Sequence, residues 1–582
     1  MLLRWRWSAR VGTLHGKSAS SRQLSSATTG FFQDPPQLGN QYDDDRALVS
    51  LVRRLIPQHV RDVMHADAEL HRFGARVVAP DILEACNDAE TNIPEHVATD
   101  AWGRRVDRLV MAQGWKTMKR IAAEEGLIAL AYDRSHGEYA RVFQFAKLYL
   151  FAPSSAVFTC PLAMADGAAR LIQGLPTKSR TLEHAYKRLL SRDPSHAWTS
   201  GQWMTERTGG SDVSRIETIA IPHQDSGRYR LHGFKWFSSA TDSEMALLLA
   251  RIPDSPKLSL FFARIHQDSA KSQLNGIRIQ RLKPKLGTRA LPTAELELYG
   301  MDAELIGTPG RGVATIATML NITRVHTAVN AVSFFRRALA IADSYATKRA
   351  AFGRQLADLP LHKKTLWDLH TSYRLCLHLV FHTVAILGRH EAMNCGGDTS
   401  ADESAASLLR VLTPLVKAWC SKASLSGIGE CLEALGGAGY MEDVGLARLL
   451  RDCQAQTIWE GTTNVLALDL RKLLTSNDAK YRFAWKAFVE SQLEVVPPSK
   501  SKTAVQKRVH ALLDDRLRQG AMYDEFFARQ VLVDMAETTA SVLVLSHAST
   551  TGDALDWQFA EHAALGVYPA NIIHGEKDVV VT

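Results

Sequence analysis

The chain has 582 residues, of which 46% are apolar and 22% charged, so it is long enough for about three or four domains with cores of their own. No uninterrupted apolar run approaches the roughly 20 residues that span a bilayer, and we expect no membrane span. The net charge of +8 does not indicate nucleic-acid binding, because most of it falls within residues 1–30 and only about +3 remains elsewhere.

Residues 1–30 are rich in Ser and Arg and contain no Asp or Glu. This composition predicts a mitochondrial transit peptide and a location in the mitochondrial matrix, and a disordered basic tail is the alternative. The leader is therefore left out of the predicted fold. Its five positive charges are Arg4, Arg6, Arg10, Lys17 and Arg22.

The seven cysteines are widely scattered and form no C-x-x-C pair. An odd number without close spacing argues against a disulfide framework and against a zinc site. We expect reduced, mostly buried thiols and no bound metal.

Hydrophobic periodicity divides the rest of the chain into helical and β regions. Residues 46–195 have helical periodicity and predict an all-helical domain. Residues 196–305 predict a small β domain, because they contain short apolar or alternating runs separated by polar residues. The predicted strands are 229–237, 246–252, 258–265, 277–282 and 294–299.

A second helical region is predicted over residues 310–475, and a further helical extension over 476–582. Between its later helices we predict a polar loop at 395–404, and within the extension a linker at 496–502. The clearest helix has one buried face, formed by Ala331, Phe334, Phe335, Ala338, Leu339, Ala342 and Tyr345.

Residues 457–464 read T-I-W-E-G-T-T-N and place Glu460 between an indole and a glycine. Burial beside Trp459 would raise the pKa of this carboxylate and make it a stronger base, while Gly461 permits close approach of a ligand. The alternative is a surface glutamate before a glycine helix stop.

Two further motifs lie in the first part of the predicted β domain. Residues 204–213, M-T-E-R-T-G-G-S-D-V, offer backbone N–H groups and the hydroxyls of Thr205 and Ser211 to a flavin or its pyrophosphate, although an ordinary turn has the same composition. In 235–238, K-W-F-S, Trp236 could cover a flat ring while Ser238 bonds its edge, and core packing is the alternative.

Two motifs in the C-terminal helical region carry the other candidates. Arg349, in K-R-A-A-F-G, could pair with phosphate oxygens, or it could serve only as a cationic helix end. In L-G-G-A-G-Y, Gly436 and Gly437 could admit a cofactor against the backbone, or they could end a helix.

The order and spacing of these motifs over about residues 100–475 resemble the acyl-CoA dehydrogenase family. The shared patterns are T-E-x-x-G-G-S-D, K-W-F-S, R-x-x-F-G, L-G-G-x-G-Y and R-D-x-x-x-x-x-I-W-E-G-T. The resemblance implies a mainly α fold with a central β domain: an N-terminal helical domain, a middle β domain and a C-terminal four-helix domain, here followed by the helical extension.

The resemblance also assigns residues and partners. It implies FAD bound between the domains and across a subunit boundary of a homotetramer built as a dimer of dimers, with an electron-transfer flavoprotein as a possible partner. The catalytic base is Glu460. Positions matching FAD contacts are Met204, Thr205, Ser211, Trp236, Ser238, Gly436, Gly437, Thr462 and Asn464, with Arg349 and Phe352 reaching a neighbouring subunit's FAD.

The chemistry implied is α,β-dehydrogenation of an acyl-CoA thioester. Glu460 takes the α-proton while the β-hydride passes to flavin N5. The α-proton is too weakly acidic for an unaided carboxylate, so the thioester carbonyl must be polarised. The family does this with the backbone N–H of the base and a flavin ribityl hydroxyl.

Within the family the chain looks most like the AidB-type branch. Arg207 replaces a common proline, Glu433 replaces a common glutamine, and about a hundred residues follow the usual end. The tail of that branch has been linked to DNA, but residues 480–582 carry 11 Lys or Arg against 13 Asp or Glu, so we do not expect nucleic-acid binding. The alternatives are a flavin-containing acyl-CoA binder with low turnover and a DNA-associated flavoprotein.

Overall fold

The N-terminal part of the chain is helical, as predicted, but it also contains a β-hairpin that the sequence did not predict. The strands Glu95–Thr99 and Arg105–Val110 pair antiparallel, and the Asp100 carboxylate accepts bonds from two backbone amides of the turn. The hairpin was missed because its residues alternate little between buried and exposed. The helices are Arg46–Leu55, Gln58–Met64, Ala66–Arg76, Pro80–Thr91, Gln113–Glu124, Ala140–Phe151, Thr159–Gln173 and Arg180–Leu189.

The middle region is a seven-stranded sheet whose pairing closes on itself. The strands Met245–Arg251 and Leu258–Arg264 complete the circuit, and Leu248, Phe261 and Leu296 belong to a separate apolar core for this region. All five predicted strands are present, with two more that were missed at the start. The strands are Ser200–Trp203, Ile219–Pro222, Tyr229–Ser239, Met245–Arg251, Leu258–Arg264, Ile277–Leu282 and Thr293–Ile306.

The C-terminal helical region is built on long helices. Each residue of the predicted face from Ala331 to Tyr345 is buried. The predicted polar loop at 395–404 is wrong in extent, because one helix reaches Gly396 and the next begins at Thr399. The helices are Gly312–Ala346, Pro360–Gly396, Thr399–Ala434, Leu446–Gln456 and Thr463–Leu474.

The C-terminal extension packs on the helix Pro360–Gly396. The Trp367 and Phe559 rings stack with centroids 4.1 Å apart, and Arg374 pairs with Asp556 at 2.9 Å. The predicted linker is shorter than expected, since the Ser499 hydroxyl accepts from the Lys502 amide and begins a helix. The helices are Lys480–Glu494, Lys500–His510, Ala528–Thr551 and Ala554–Leu565.

The structure is a computed structural model that describes residues 30, 32–223, 226–253, 255, 257–268, 273–396, 399–515, 524–570 and 572. The described residues from Pro36 onward form one compact unit. The predicted leader lies outside the described residues except for Gly30. Among described helices, the one at Glu525–Thr551 is long and apolar enough to cross a bilayer, and 83% of its most apolar stretch is buried in the protein.

The side chains of six cysteines are described, and all six are free and buried. No group of His, Cys, Asp and Glu that could hold a metal is found within the described ranges. The described thiols therefore match the prediction of reduced, buried side chains.

A buried ionic cluster fixes the helix Gly312–Ala346 against the N-terminal helices. The Asp166 carboxylate contacts Arg141 at 2.7 Å and His326 at 2.8 Å, all three being almost fully buried. Gly167 lets the two helices approach closely, since a Cβ there would lie 2.6 Å from Met319. The rotation of this helix is thereby set, and it determines where Thr323 points.

Candidate active site

Glu460 lies in the short turn between the helices Leu446–Gln456 and Thr463–Leu474. Its carboxylate Oε2 accepts a hydrogen bond of 2.7 Å from the Thr323 hydroxyl. The backbone is left-handed at Glu460, with φ of 58°, and at Gly461, with φ of 103°. The turn directs the glutamate side chain inward, towards the helix Gly312–Ala346.

Burial raises the pKa of Glu460. The Thr323 hydrogen bond and the charges of Arg324 and Lys417 oppose the rise without cancelling it. The neighbouring Trp459 is partly buried against the apolar core, and its indole N–H donates to Gln456. The direction of the pKa shift is the one that a general base near neutral pH requires.

Two cations lie close to the turn. Lys417, on the helix Thr399–Ala434, donates to the Gly461 carbonyl oxygen at 2.6 Å, and burial lowers its pKa to about 7. The Arg324 Nε lies 3.4 Å from the Glu460 carbonyl oxygen, and its guanidinium also pairs with Asp469 at 3.3 Å.

The Thr323 hydroxyl has a second neighbour, the Leu320 carbonyl oxygen at 3.2 Å. A hydroxyl has one hydrogen and two lone pairs. With Glu460 ionised, the hydrogen goes to the carboxylate. With Glu460 protonated, the carboxyl can donate to Thr323 while the hydroxyl turns to Leu320, so both protonation states keep a hydrogen bond.

A buried ion pair joins the two motifs of the β domain. Lys235 contacts the Glu206 carboxylate at 2.6 Å, and the Trp236 amide donates to the Thr205 carbonyl at 2.8 Å. Burial alone would raise the pKa of Glu206, but Lys235 and the hydrogen bonds hold it below its usual range. Thr205 and Trp236 therefore lie side by side, as a shared cofactor site would require.

Ser238 and Trp236 have features that suit a ring-shaped ligand. The Ser238 hydroxyl is buried and has no hydrogen-bond partner among the described residues, so a ligand atom could satisfy it. Two cations that the sequence did not predict contact the Trp236 ring: Lys283 Nζ lies 3.3 Å from its centroid and the Arg207 guanidinium 5.0 Å.

The other predicted contacts of this domain differ in exposure. Met204 is buried in the core, whereas Ser211 is exposed in the turn before Asp212. Asp212 itself accepts from the Ser214 amide and so shapes that turn.

Arg349 and Phe352 lie on a small hairpin beyond the helix Gly312–Ala346. Arg349 is half-buried, and Phe352 is 94% exposed at the hairpin tip with a φ of 54°. An almost fully exposed phenylalanine at a hairpin tip is suited to contact with another chain.

The remaining predicted contacts flank Glu460 along the chain. Gly436 and Gly437 are exposed, and Gly436 has a φ of 61° just after the helix Thr399–Ala434, which agrees with the helix-ending alternative. Thr462 is the N-cap residue of the next helix but makes no side-chain cap bond, and Asn464 is exposed.

The structure thus groups Thr205, Trp236 and Ser238 in the β domain and places Glu460 against Thr323. Sequence reasoning missed Thr323, Arg324 and Lys417. Thr323 is 137 residues from Glu460, and Lys417 is 44 residues from its bonded partner. The sequence offered one signal for these residues, which is that Lys417 is a lysine within an apolar helical stretch.

Three family models match consecutive parts of the chain. The adaptive response protein AidB N-terminal domain matches residues 33–194, the acyl-CoA dehydrogenase middle domain 201–301, and the acyl-CoA dehydrogenase C-terminal domain 310–474. The three domains follow one another along the chain in the same order as the sequence motifs that carry the family resemblance.

Two relatives align with most of the chain. Acyl-CoA dehydrogenase family member 11 of Caenorhabditis elegans is 42% identical over 561 residues, covering 92% of this chain and 89% of that protein. Putative acyl-CoA dehydrogenase AidB of Escherichia coli is 32% identical over 430 residues, covering 72% of this chain and 76% of that protein.

Two solved structures share the fold. Caenorhabditis elegans ACDH-11 in complex with C11-CoA has a TM-score of 0.88 and 40% identity, covering 94% of this chain and 95% of that one. Acyl-CoA dehydrogenase complexed with FAD from Bacillus anthracis has a TM-score of 0.61 and 18% identity, with coverage of 77% and 79%. The second likeness concerns the fold alone.

Proposed function

Because the chain belongs to the acyl-CoA dehydrogenase family, with an AidB-like N-terminal domain and FAD as its cofactor, we propose that Glu460 is the base of an acyl-CoA α,β-dehydrogenation. The predicted family, branch and fold class are confirmed by the same matches. The residue assignments and the steps of the reaction are our proposal.

The observation that carries the proposal is the buried carboxylate of Glu460 with its raised pKa and its bond to Thr323. A carboxylate in this environment holds a proton more strongly than one in water, which is what abstraction of a weakly acidic proton needs. Thr323 orients the carboxylate before the reaction and keeps a bond to it after the proton has moved.

The residues of the β domain suit the cofactor. Trp236 would lie against the flavin, Ser238 and Thr205 would bond its edge, and Arg349 of a second subunit would pair with its pyrophosphate. When bound, FAD supplies the acceptor for the hydride that leaves the β-carbon. The chain itself supplies the base, its orientation and a site from which water is excluded.

A thioester of medium length is a reasonable first substrate, because the relative ACDH-11 is described in complex with C11-CoA. The alternative function is an acyl-CoA binder with low turnover. The buried base favours catalysis, since a protein that only binds acyl-CoA has no need of a desolvated carboxylate.

The experiment is anaerobic mixing of the purified holoprotein with a panel of acyl-CoAs, including an eleven-carbon one, followed by flavin absorbance. Glu460→Gln keeps the shape and loses the basicity, so it should bind FAD and acyl-CoA without bleaching the flavin. Glu433→Gln is the control, since Glu433 is exposed at the end of the helix Thr399–Ala434, and it should retain most of the wild-type rate. Normal reduction by Glu460→Gln would place the base elsewhere.

We also propose a homotetramer, arranged as a dimer of dimers, with an electron-transfer flavoprotein as electron acceptor. The support is the exposed Phe352 on its hairpin, together with Tyr440, which is 86% exposed beside the glycine turn. Both residues lie in the motifs that carry the family resemblance. That resemblance implies that Phe352 reaches the FAD of a second subunit. Nucleic acid is not among the partners we propose, because the extension has no excess of positive charge.

The mitochondrial matrix is the proposed location, on the composition of residues 1–30. A fluorescent protein fused after these thirty residues should accumulate in mitochondria. The same fusion with its five basic residues replaced by Gln should stay in the cytosol, and cytosolic fluorescence from the unaltered fusion would refute the location.

A further inference from the structure

The backbone that carries Glu460 is in an unusual conformation. Glu460 has a φ of 58° and is followed by Gly461 with a φ of 103°. A left-handed conformation is strained for a residue with a side chain, and it persists only where the surroundings hold it. Gly461 adopts its conformation at little cost, so Glu460 is the residue whose backbone conformation must be held by its surroundings.

The contacts that restrain the turn come from two cations on two different helices. Arg324 Nε lies 3.4 Å from the Glu460 carbonyl oxygen, and Lys417 Nζ donates to the next carbonyl oxygen, that of Gly461, at 2.6 Å. Two successive carbonyl groups are thereby directed toward the basic side chains of Arg324 and Lys417. A turn that relaxed to a right-handed conformation would lose both contacts.

Lys417 has no ordinary structural explanation. It is 0% exposed, and among the described residues the Gly461 carbonyl oxygen is its only hydrogen-bond acceptor, with no carboxylate in ion-pair contact. Burying an ammonium outside an ion pair is costly, whereas an apolar side chain would pack there without that cost. The charge that offsets part of this cost is the Glu460 carboxylate, which raises the pKa of Lys417 against the effect of burial. Arg324 differs, because it shares Asp469 with Arg410.

We propose that Lys417 and Arg324 are positioning residues that hold the left-handed turn of Glu460 and so keep its carboxylate against Thr323. The inference rests on the proposed role of Glu460 as the base. Neither cation needs to touch the substrate, because each acts through a backbone carbonyl of the turn. Lys417 and Arg324 together form what we call the turn clamp.

The turn clamp also affects the proton affinity of Glu460. Lys417 and Arg324 both lower its pKa, while Asp469 and Arg410 face Arg324 from the other side. The buried Cys160 thiol, on the helix Thr159–Gln173, also faces Glu460, and burial raises its pKa, so it carries no charge in this range. Replacing Lys417 by an apolar residue removes one positive charge, so the pKa of Glu460 should rise. The acid limb of the flavin-reduction rate should then move to higher pH.

The test compares three variants of the FAD-loaded protein. Lys417→Met removes one contact of the clamp with little change of volume. Arg324→Gln removes the other contact, and Asp469 keeps its ion pair with Arg410. Lys422→Met makes the same change as the first at an exposed position of the same helix and is the control. The readouts are amide hydrogen exchange over residues 457–466, acyl-CoA affinity, and the pH profile of flavin reduction.

We expect both clamp variants to exchange the turn amides about tenfold faster than wild type and Lys422→Met. Reduction should slow by about tenfold to a hundredfold with acyl-CoA affinity unchanged, and in Lys417→Met its acid limb should rise by about one pH unit. Unchanged exchange in the folded variants would overturn the inference, as would slower reduction without the pH shift in Lys417→Met.

If Lys417→Met does not fold, Arg324→Gln decides the question by exchange and rate, because Asp469 remains paired in it. If no acyl-CoA reduces the wild-type protein, the proposed function fails. The exchange comparison needs no substrate and still decides whether the clamp holds the turn.

Discussion

At the scale of single residues, Thr323 gives Glu460 a hydrogen-bond partner in both protonation states. Its hydroxyl lies 2.7 Å from the carboxylate. The carboxylate itself is desolvated, and this burial raises its pKa. The proton affinity of Glu460 therefore depends on a residue from a helix distant in the sequence as well as on its own motif.

Thr323→Val should raise the pKa of Glu460, because the hydroxyl stabilises the ionised form and valine keeps the shape. The base must be ionised to accept a proton, so the acid limb of flavin reduction should move up by about one pH unit. Stopped-flow reduction across pH measures it. Thr318→Val, exposed on the same helix, should leave the limb unchanged, and an unmoved limb in Thr323→Val would contradict the role of the hydroxyl.

The motif residues could be predicted from the sequence, but the residues around them could not. Trp459, Glu460 and Gly461 are adjacent, so their pattern is visible in the chain. Thr323 and Lys417 reach the turn only after two helices have packed, and no local pattern records that contact. The same holds for Lys283, which follows the strand Ile277–Leu282 and comes to lie on the Trp236 ring.

At the scale of elements, helices and strands with apolar periodicity were predicted well, and those with polar faces were not. The hairpin Glu95–Thr99 and Arg105–Val110 is largely exposed, and a bond from Arg105 to the Ile279 carbonyl anchors it to the β domain. The stretch 399–404 is polar yet helical, because it forms the first turns of a long helix whose later turns are buried.

The extension is held to the helix Pro360–Gly396 by the stacked pair Trp367 and Phe559. Phe559→Ala should destabilise the protein by about 3–4 kcal/mol, because it leaves a cavity beside a fully buried indole. Thermal unfolding of the holoprotein should show the loss as a lower midpoint. Phe526→Ala, in the same extension but 84% exposed, should unfold like wild type. Equal midpoints for the two variants would mean that the extension contributes little at this contact.

At the scale of the whole molecule, the cofactor site is expected to be complete only when two subunits meet. Within one chain, Thr205, Trp236 and Ser238 lie in the β domain, while Phe352 extends away on an exposed hairpin tip. Assembly and FAD binding should therefore depend on each other.

Arg349→Ala should lose FAD during purification, since removing a guanidinium from a shared pyrophosphate leaves the anion unpaired. The ratio of flavin to protein absorbance, measured with size-exclusion chromatography, reports cofactor content and assembly together. Arg389→Ala removes an exposed arginine of a surface ion pair and should keep both. Full occupancy and native assembly in Arg349→Ala would refute the interface assignment.

The left-handed backbone at Glu460 has an evolutionary consequence. Glycine adopts a φ of 58° without the steric cost that glutamate bears there, and it would also remove a buried carboxylate. Stability and activity thus oppose each other at this position: a chain released from selection for turnover could accept Glu460→Gly and keep its fold, its FAD site and its affinity for acyl-CoA. On the proposed role of Glu460, a single substitution would therefore separate a dehydrogenase from a carrier protein on this scaffold.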